Sequence, residues 1–130
     1  MSEDPKATIP VVTAVDRIVL AVRDLDEAEA AYTRLLGRSP SWRRRDKAGG
    51  TAHVYYYLDN IGIELTATKG PGVWGQHLDA FLDEHGEGIS ALSLTSADVE
   101  LAAHSLNEAG VTTVVMPENE GADGEGNVHL

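Results

Sequence analysis

The sequence predicts an α+β domain in which a strand–helix–strand unit is used twice and the second copy is incomplete. Residues 15–22 alternate between two sets of side chains, which indicates a strand, and residues 25–36 carry apolar side chains three or four positions apart, which indicates a helix. This change of period returns about 74 positions later, and such repeats usually arise by duplication of a supersecondary unit. A chain of 130 residues is long enough for one domain with one core.

Composition and charge limit the classes of function. The formal net charge is −11, and a surface of this charge repels nucleic acid. The chain has no cysteine, which excludes a disulfide framework, a cysteine nucleophile and thiolate metal ligands. Residues 1–12 are polar, lack the features of a signal peptide and are predicted to form a flexible arm, and no apolar run suits a membrane span. We therefore expect a cytoplasmic protein with a small-molecule ligand and with no nucleic-acid or membrane partner.

The first strand and the first helix have the clearest local signals. Arg17 is a lone charge on a strand face that otherwise carries valine and alanine. Asp24 occupies the N-cap position of the helix with Glu27 three residues on, an arrangement typical of a capping box. Gly37 occupies the C-cap position. The opposite face of the strand is apolar and carries Ile18, Leu20 and Val22.

The later elements follow from changes of period along the chain. Residues 38–46 are predicted to hold a short edge strand, and residues 51–58 and 61–66 to form a β-hairpin. The second half is predicted to contain a helix at residues 74–85, a strand at 89–95, a helix at 98–109 and a strand at 111–116.

The chain stops before the second unit is complete. Residues 117–126 are acidic, rich in glycine and without periodicity, which predicts a mobile loop, and residues 127–130 resemble the start of another strand. Either the sequence is truncated after Leu130 or the missing strands come from elsewhere. An incomplete unit would expose a sheet edge that tends to pair with another chain, so we expect a homodimer. A monomer in light scattering at high concentration would contradict this expectation.

Four segments of the chain resemble the vicinal oxygen chelate superfamily, the group of glyoxalase I, methylmalonyl-CoA epimerase, extradiol dioxygenases and bleomycin-resistance proteins. The segments are VDRIVLAVRDLDEAEAAYTRLLG, IELTA, HLDAFLDEHGEGISALSL and ADVELAAHSLNEAGV, and the third is most similar to the epimerase branch. The resemblance implies paired βαβββ units whose mixed sheet forms a cup with helices on its convex face. Within a domain at residues 13–130, it implies a first unit at about 13–68, a linking helix at about 73–86 and a partial second unit at about 88–130.

The same resemblance implies a divalent metal in the cup, held by four side chains. The corresponding positions are Arg17 on the first strand, Glu64 on the fourth and Ala91 on the fifth, and the fourth would lie on a final strand that this sequence does not contain. Arginine and alanine offer no lone pair, which leaves Glu64 as the one metal ligand. Two alternatives to a metal follow. Arg17 and Glu64 could form a salt bridge across the cup, or Arg17 could bind a substrate carboxylate or phosphate.

Other residues are candidates for the lining of the cup. His53, Tyr55 and Tyr57 share one face of the third strand, a pattern that also suits an ordinary half-exposed strand. If this face is concave, His53 is a candidate base or ligand, and the two tyrosines are candidate substrate-binding residues. One dense basic cluster suits either a solvated edge strand or an anchor for an anionic substrate tail, and it consists of Arg43, Arg44, Arg45 and Lys47.

Two functions remain open from the sequence. The first is an isomerase, epimerase or lyase of the glyoxalase type that acts on a small oxygen-rich metabolite, with Glu64 as ligand or base and Arg17 as an anion-binding residue. The second is a metal-free binding module of the bleomycin-resistance type. The missing ligand positions favour the module, and the epimerase-like third segment favours the enzyme.

Overall fold

The computed structural model describes residues 12–112, which form five strands and three helices. The edge strand occupies residues 42–46 of the region predicted to hold it, every other element lies within two residues of its predicted bounds, and the α+β fold class is confirmed. In chain order the elements are β1 (Ala14–Ala21), α1 (Leu25–Leu36), β2 (Trp42–Asp46), β3 (Thr51–Tyr57), β4 (Gly62–Thr68), α2 (Val73–His85), β5 (Gly88–Thr95) and α3 (Val99–Glu108).

Some predictions from the sequence concern other parts of the chain. Residues 1–11 of the predicted arm, most of the strand predicted at 111–116, the predicted loop at 117–126 and the strand start at 127–130 lie outside the described residues. Among residues 12–112, no helix is both long enough and apolar enough to cross a membrane.

The five strands form one mixed sheet in the order β2-β3-β4-β1-β5. The β1–β4 pair is parallel, and the other three pairs are antiparallel. Alternate residues of the central strands face α1 and form the core, because side chains in a strand alternate between faces. The buried members of this core are Val22, Val54, Tyr56, Leu65 and Ala67.

Helix α1 begins and ends at the predicted caps. The Asp24 carboxylate accepts a hydrogen bond from the Glu27 N–H at 3.0 Å, which satisfies a backbone donor of the first turn. Gly37 has φ 69°, a left-handed conformation that favours glycine, and its N–H donates to the Thr33 carbonyl.

Strands β1 and β5 pair about a local twofold axis. The sequence repeat makes Ile18 equivalent to Leu92, and these two residues are direct partners in the antiparallel register. On either side of them, Arg17 pairs with Ser93, and Val19 pairs with Ala91. At these three positions each β1 residue meets the counterpart of its mirror position, the pairing that duplication of one strand–helix unit would produce, and the register shifts on either side of them.

Candidate functional site

The sheet face opposite α1 carries a row of buried polar side chains. Strand alternation directs Arg17 of β1, Glu64 of β4 and His53 and Tyr55 of β3 to this face. The registers bring them together, because Tyr55 is the direct partner of Glu64 in the β3–β4 pair. All four residues are at most 9% exposed, so their charges and hydrogen bonds must be satisfied within the protein.

Arg17 and Glu64 form a buried salt bridge across β1 and β4. The Arg17 Nε donates to Glu64 Oε1 at 3.0 Å. The side chain of Arg17 crosses Gly62 on the way, since a Cβ at Gly62 would lie 2.8 Å from Arg17 Cγ. The salt bridge proposed as one alternative to a metal is therefore present, and the missing side chain at position 62 provides the space for it.

His53 holds the second oxygen of the same carboxylate. Its Nδ1 lies 2.7 Å from Glu64 Oε2, so Nδ1 carries the hydrogen and donates to the carboxylate. Its Nε2 faces the Thr51 hydroxyl at 2.8 Å and Arg44 Nη2 at 3.3 Å. A guanidinium can only donate, so Nε2 is the lone-pair side of a neutral ring. Glu64 thus fixes both the position and the tautomer of His53.

Tyr55 lies between the two arginines of the site. The Arg17 guanidinium is 5.2 Å from the centre of the Tyr55 ring, and Arg44 Nε donates to the Tyr55 hydroxyl at 3.3 Å. Burial, followed by the nearby Glu64 charge, raises the pKa of Tyr55 to about 12, although the hydrogen bond from Arg44 opposes the shift. The phenol therefore stays protonated at neutral pH and can act as a hydrogen-bond donor.

The raised pKa of Tyr55 predicts a loss of stability in alkali. The folded protein holds the Tyr55 proton more tightly than the unfolded chain does. Its contribution to the free energy of unfolding is therefore complete below about pH 10 and is lost as the pH rises towards 12. A shift of about two units corresponds to roughly 3 kcal/mol. In urea unfolding at several pH values, Tyr55→Phe should therefore flatten the decline in the free energy of unfolding across this window. Tyr57→Phe is the control, and parallel curves for wild type and Tyr55→Phe would contradict the prediction.

A cavity of about 430 Å³ lies against this face. Its polar side contains Arg17, Arg44, His53, Tyr55 and Glu64. Its other walls are mainly apolar and come from α2 and β5, with Trp74, Leu78 and Phe81 from the helix and Ala91 and Leu92 from the strand. A volume in this range, with an apolar wall and a few convergent polar groups, is typical of a site for a small organic molecule.

Helix α2 is held in place through close glycine contacts. The Gly75 N–H donates to the Gly49 carbonyl at 2.9 Å, which ties the first turn of α2 to the turn between β2 and β3. A Cβ at Gly75 would lie 2.7 Å from the Gly50 carbonyl oxygen, and a Cβ at Gly72 would lie 2.2 Å from the Gly49 carbonyl carbon. Helix α2 can approach the turn between β2 and β3 this closely because the residues on both sides of the contact are glycines.

The structure brings four of the five predicted site residues together. Arg17, His53, Tyr55 and Glu64 all line the cavity. Tyr57 is on the same face of β3 and stacks on Tyr55 at 6.1 Å between ring centres, but it is not part of the lining. The roles assigned to these residues from the sequence stay predictions.

Several lining residues were not predicted individually. In the basic cluster, Arg44 enters the cavity, whereas Arg43 pairs with Glu29 of α1 and Arg45 donates to the Lys69 carbonyl. Among the described residues, no carboxylate forms an ion pair with Arg44, whose hydrogen bonds reach the neutral His53 ring and Tyr55. The signal that could have identified Arg44 is the register of the β2–β3 hairpin, which places Arg44 opposite His53. Thr51 and Trp74 were also missed as lining residues.

The donor set does not fit the divalent metal implied by the sequence resemblance. Within residues 12–112 no cluster of three His, Asp or Glu side chains could hold an ion. Both oxygens of Glu64 are engaged, one by Arg17 and one by His53. A divalent ion about 4 Å from the Arg17 guanidinium would be repelled by roughly 8 kcal/mol at an effective dielectric constant of about 20. A water-filled or ligand-filled cavity is therefore favoured over a metal-filled one.

One family model matches most of the chain. Residues 16–128 match a family model described as the glyoxalase/bleomycin resistance protein/dioxygenase superfamily. None of the curated proteins matches the chain.

Solved structures with the same fold include two epimerases. Methylmalonyl-CoA epimerase from Mycobacterium tuberculosis is 22% identical with a TM-score of 0.66, and the match covers 91% of this chain and 81% of that one. A variant of the Streptomyces coelicolor methylmalonyl-CoA epimerase in complex with 2-nitronate-propionyl-CoA is 18% identical with a TM-score of 0.68, and the match covers 90% of this chain and 91% of that one. A hypothetical protein from Bacillus halodurans is 19% identical with a TM-score of 0.67, covering 82% and 78%. At these identities the likeness shows the shared fold.

Proposed function

Because the chain belongs to the glyoxalase/bleomycin resistance protein/dioxygenase superfamily, as its sequence segments predicted, we propose that its cavity binds a small oxygen-rich organic anion and moves a proton on it. One observation carries the proposal. The 2.7 Å contact between Glu64 and His53 fixes a neutral imidazole beside Arg44 and Tyr55 in a cavity large enough for a ligand. The reaction class is that of an isomerase or epimerase, and no step requires a metal ion.

Binding is proposed to begin at Arg44. Its guanidinium meets neutral partners in the site, so an anionic group of a ligand would supply its counter-charge. The Tyr55 hydroxyl accepts from Arg44 and keeps its own hydrogen for a ligand oxygen. The apolar part of the ligand would pack against Trp74 and Phe81 of α2.

Proton transfer is proposed to use His53 as the base. The Nε2 atom takes the proton from a carbon next to a carbonyl group, and the electron pair of that C–H bond moves to the carbonyl oxygen as an enolate. Arg44 and the Tyr55 hydroxyl stabilise the oxyanion, and Glu64 stabilises the imidazolium that forms. Return of the proton to the opposite face of that carbon completes an epimerisation, and its delivery to a different atom of the enolate completes an isomerisation.

Deuterium exchange tests the proposed reaction. The full chain is incubated in D₂O with methylmalonyl-CoA, a ligand in the structure of one similar epimerase, or with free methylmalonate, and the signal of the acidic C–H is followed by NMR. We expect exchange at least about tenfold faster than in buffer, since a positioned base contributes at least this much. His53→Gln should return the rate to that of buffer, whereas His104→Gln, at an exposed position of α3, should not change it. If neither compound binds, the proposal is contradicted.

A second candidate function is a binding module that does not turn over its ligand. It is favoured by the two donors that face His53 Nε2, the Thr51 hydroxyl and Arg44, because they engage the lone pair that a base needs. Calorimetric binding of methylmalonyl-CoA or methylmalonate without accelerated exchange would support the module. In that case Arg44→Gln should weaken binding by about tenfold or more, as expected for a lost charged hydrogen bond. The homodimer and the cytoplasmic location stay predictions from the sequence.

A further inference from the structure

We infer that the Arg17 guanidinium takes the place of a divalent cation in this cavity, so that the site is closed to divalent metals. The inference deepens the proposed function, because it identifies arginine side chains as the source of positive charge for a ligand in the same cavity. It follows from the way in which the sheet encloses Arg17, from the use of both Glu64 oxygens and from the side chains next to Glu64.

The protein surrounds the Arg17 guanidinium with groups that stabilise its positive charge. Arg17 donates to Glu64 Oε1 at 3.0 Å and to Asp16 Oδ2 at 3.1 Å, and it lies over the Tyr55 ring at 5.2 Å. Two carboxylates and one aromatic face all favour a positive charge. Since Arg17 is only 3% exposed, solvent contributes little to its stabilisation and these contacts hold it in place.

The backbone around Arg17 is also adapted to it. Gly62 is the parallel partner of Arg17 on β4, and the arginine stem occupies the volume that a side chain there would need. The pairing of β1 with β5 is irregular between Val15 and Arg17, next to Asp16. Adjacent residues of a regular strand face opposite sides, so this irregularity allows Asp16 to reach the same guanidinium.

A metal ion that approached Glu64 would meet positive charge and few donors. Arg17 lies on the Oε1 side of the carboxylate, and His53 with Arg44 behind it lies on the Oε2 side. Across β1, Val19 is the direct partner of both Glu64 and Ala91, so the nearest position on β5 carries a methyl group. The ion would have to displace at least one charged contact without gaining a ligand in return.

Cobalt titration of matched variants tests the inference. Metal-stripped full-length protein is titrated with Co²⁺ and followed by visible absorption and calorimetry, with no organic ligand present. The variants share Ala91→His and differ at position 17, which keeps Arg17 or carries Arg17→Lys or Arg17→His. We expect Arg17→His/Ala91→His to bind Co²⁺ at least about 100-fold more tightly than the two variants that retain a positive charge, because it combines two imidazoles with the Glu64 carboxylate.

Each other outcome of the titration decides against the inference. It is overturned if wild type binds one Co²⁺ per chain and Glu64→Gln abolishes the binding, or if the three variants bind Co²⁺ equally. Circular dichroism establishes that each variant is folded. If Arg17→His/Ala91→His does not fold, Arg17→Gln/Ala91→His replaces it with the same expected order, and equal affinity again overturns the inference. Because the titration contains no substrate, its failure is distinguishable from a failure of the exchange experiment.

Discussion

Gly72→Ala is expected to lower the free energy of unfolding by about 3 kcal/mol or more, as severe overpacking does. The new Cβ would lie 2.2 Å from the Gly49 carbonyl carbon, 2.3 Å from its oxygen and 2.5 Å from the Gly50 nitrogen. All three are backbone atoms, so no side chain can rotate to relieve the contact. The turn between β2 and β3 and the start of α2 would have to separate.

Urea unfolding with a matched glycine variant measures this effect. A Cβ at Gly88 would meet no atom within 4 Å, so Gly88→Ala should change stability by less than about 0.5 kcal/mol. Because α2 forms one wall of the cavity, Gly72→Ala should also weaken ligand binding. Equal stability of the two alanine variants would show that the two loops are not in tight contact.

Glu64→Ala is expected to lower the free energy of unfolding by about 3–5 kcal/mol, the usual effect of removing one partner of a buried ion pair. Arg17 would lose its main carboxylate while it stays buried, and His53 Nδ1 would lose its acceptor. Chemical unfolding at neutral pH measures the loss. As a control, Glu29→Ala removes the partner of the exposed Arg43 and should change stability little.

The double variant Arg17→Met/Glu64→Leu separates the cost of an unpaired charge from the value of the pair. Replacement of both partners by apolar side chains leaves no buried charge, so the double variant should be more stable than either single variant. Additive losses from the two substitutions would contradict the proposed coupling between Arg17 and Glu64.

The local parts of the fold could be predicted from the sequence because their signals are local. The caps of α1 at Asp24 and Gly37 follow from residue type and spacing, and strand alternation correctly placed Arg17 and Glu64 on the same face. Their direct contact could not be derived in this way. It depends on the parallel register of β1 and β4, which are far apart in the chain, and on the space above Gly62.

Two parts of the site required information that alternation alone does not contain. The position of Arg44 depends on the hairpin register, in which Asp46 faces Thr51 and Arg44 therefore faces His53. If the length of the turn between β2 and β3 is known, the contact between Arg44 and His53 follows from it. The side of the sheet covered by α2 is set by the approach of two glycine-containing loops, and residue periodicity does not encode such an approach. The sequence therefore predicts helix α2 without its role as a wall of the cavity.

The chain of contacts from Arg17 through Glu64 and His53 to Arg44 links four neighbouring strands side chain to side chain. A change at any of these positions would disturb the others, so we expect this half of the cavity to diverge slowly. The opposite half, with Ala91, Leu92 and Phe81, takes no part in the chain of contacts. Relatives that acquire new ligands are therefore expected to vary first in β5 and α2, while the charged strands are inherited as a unit.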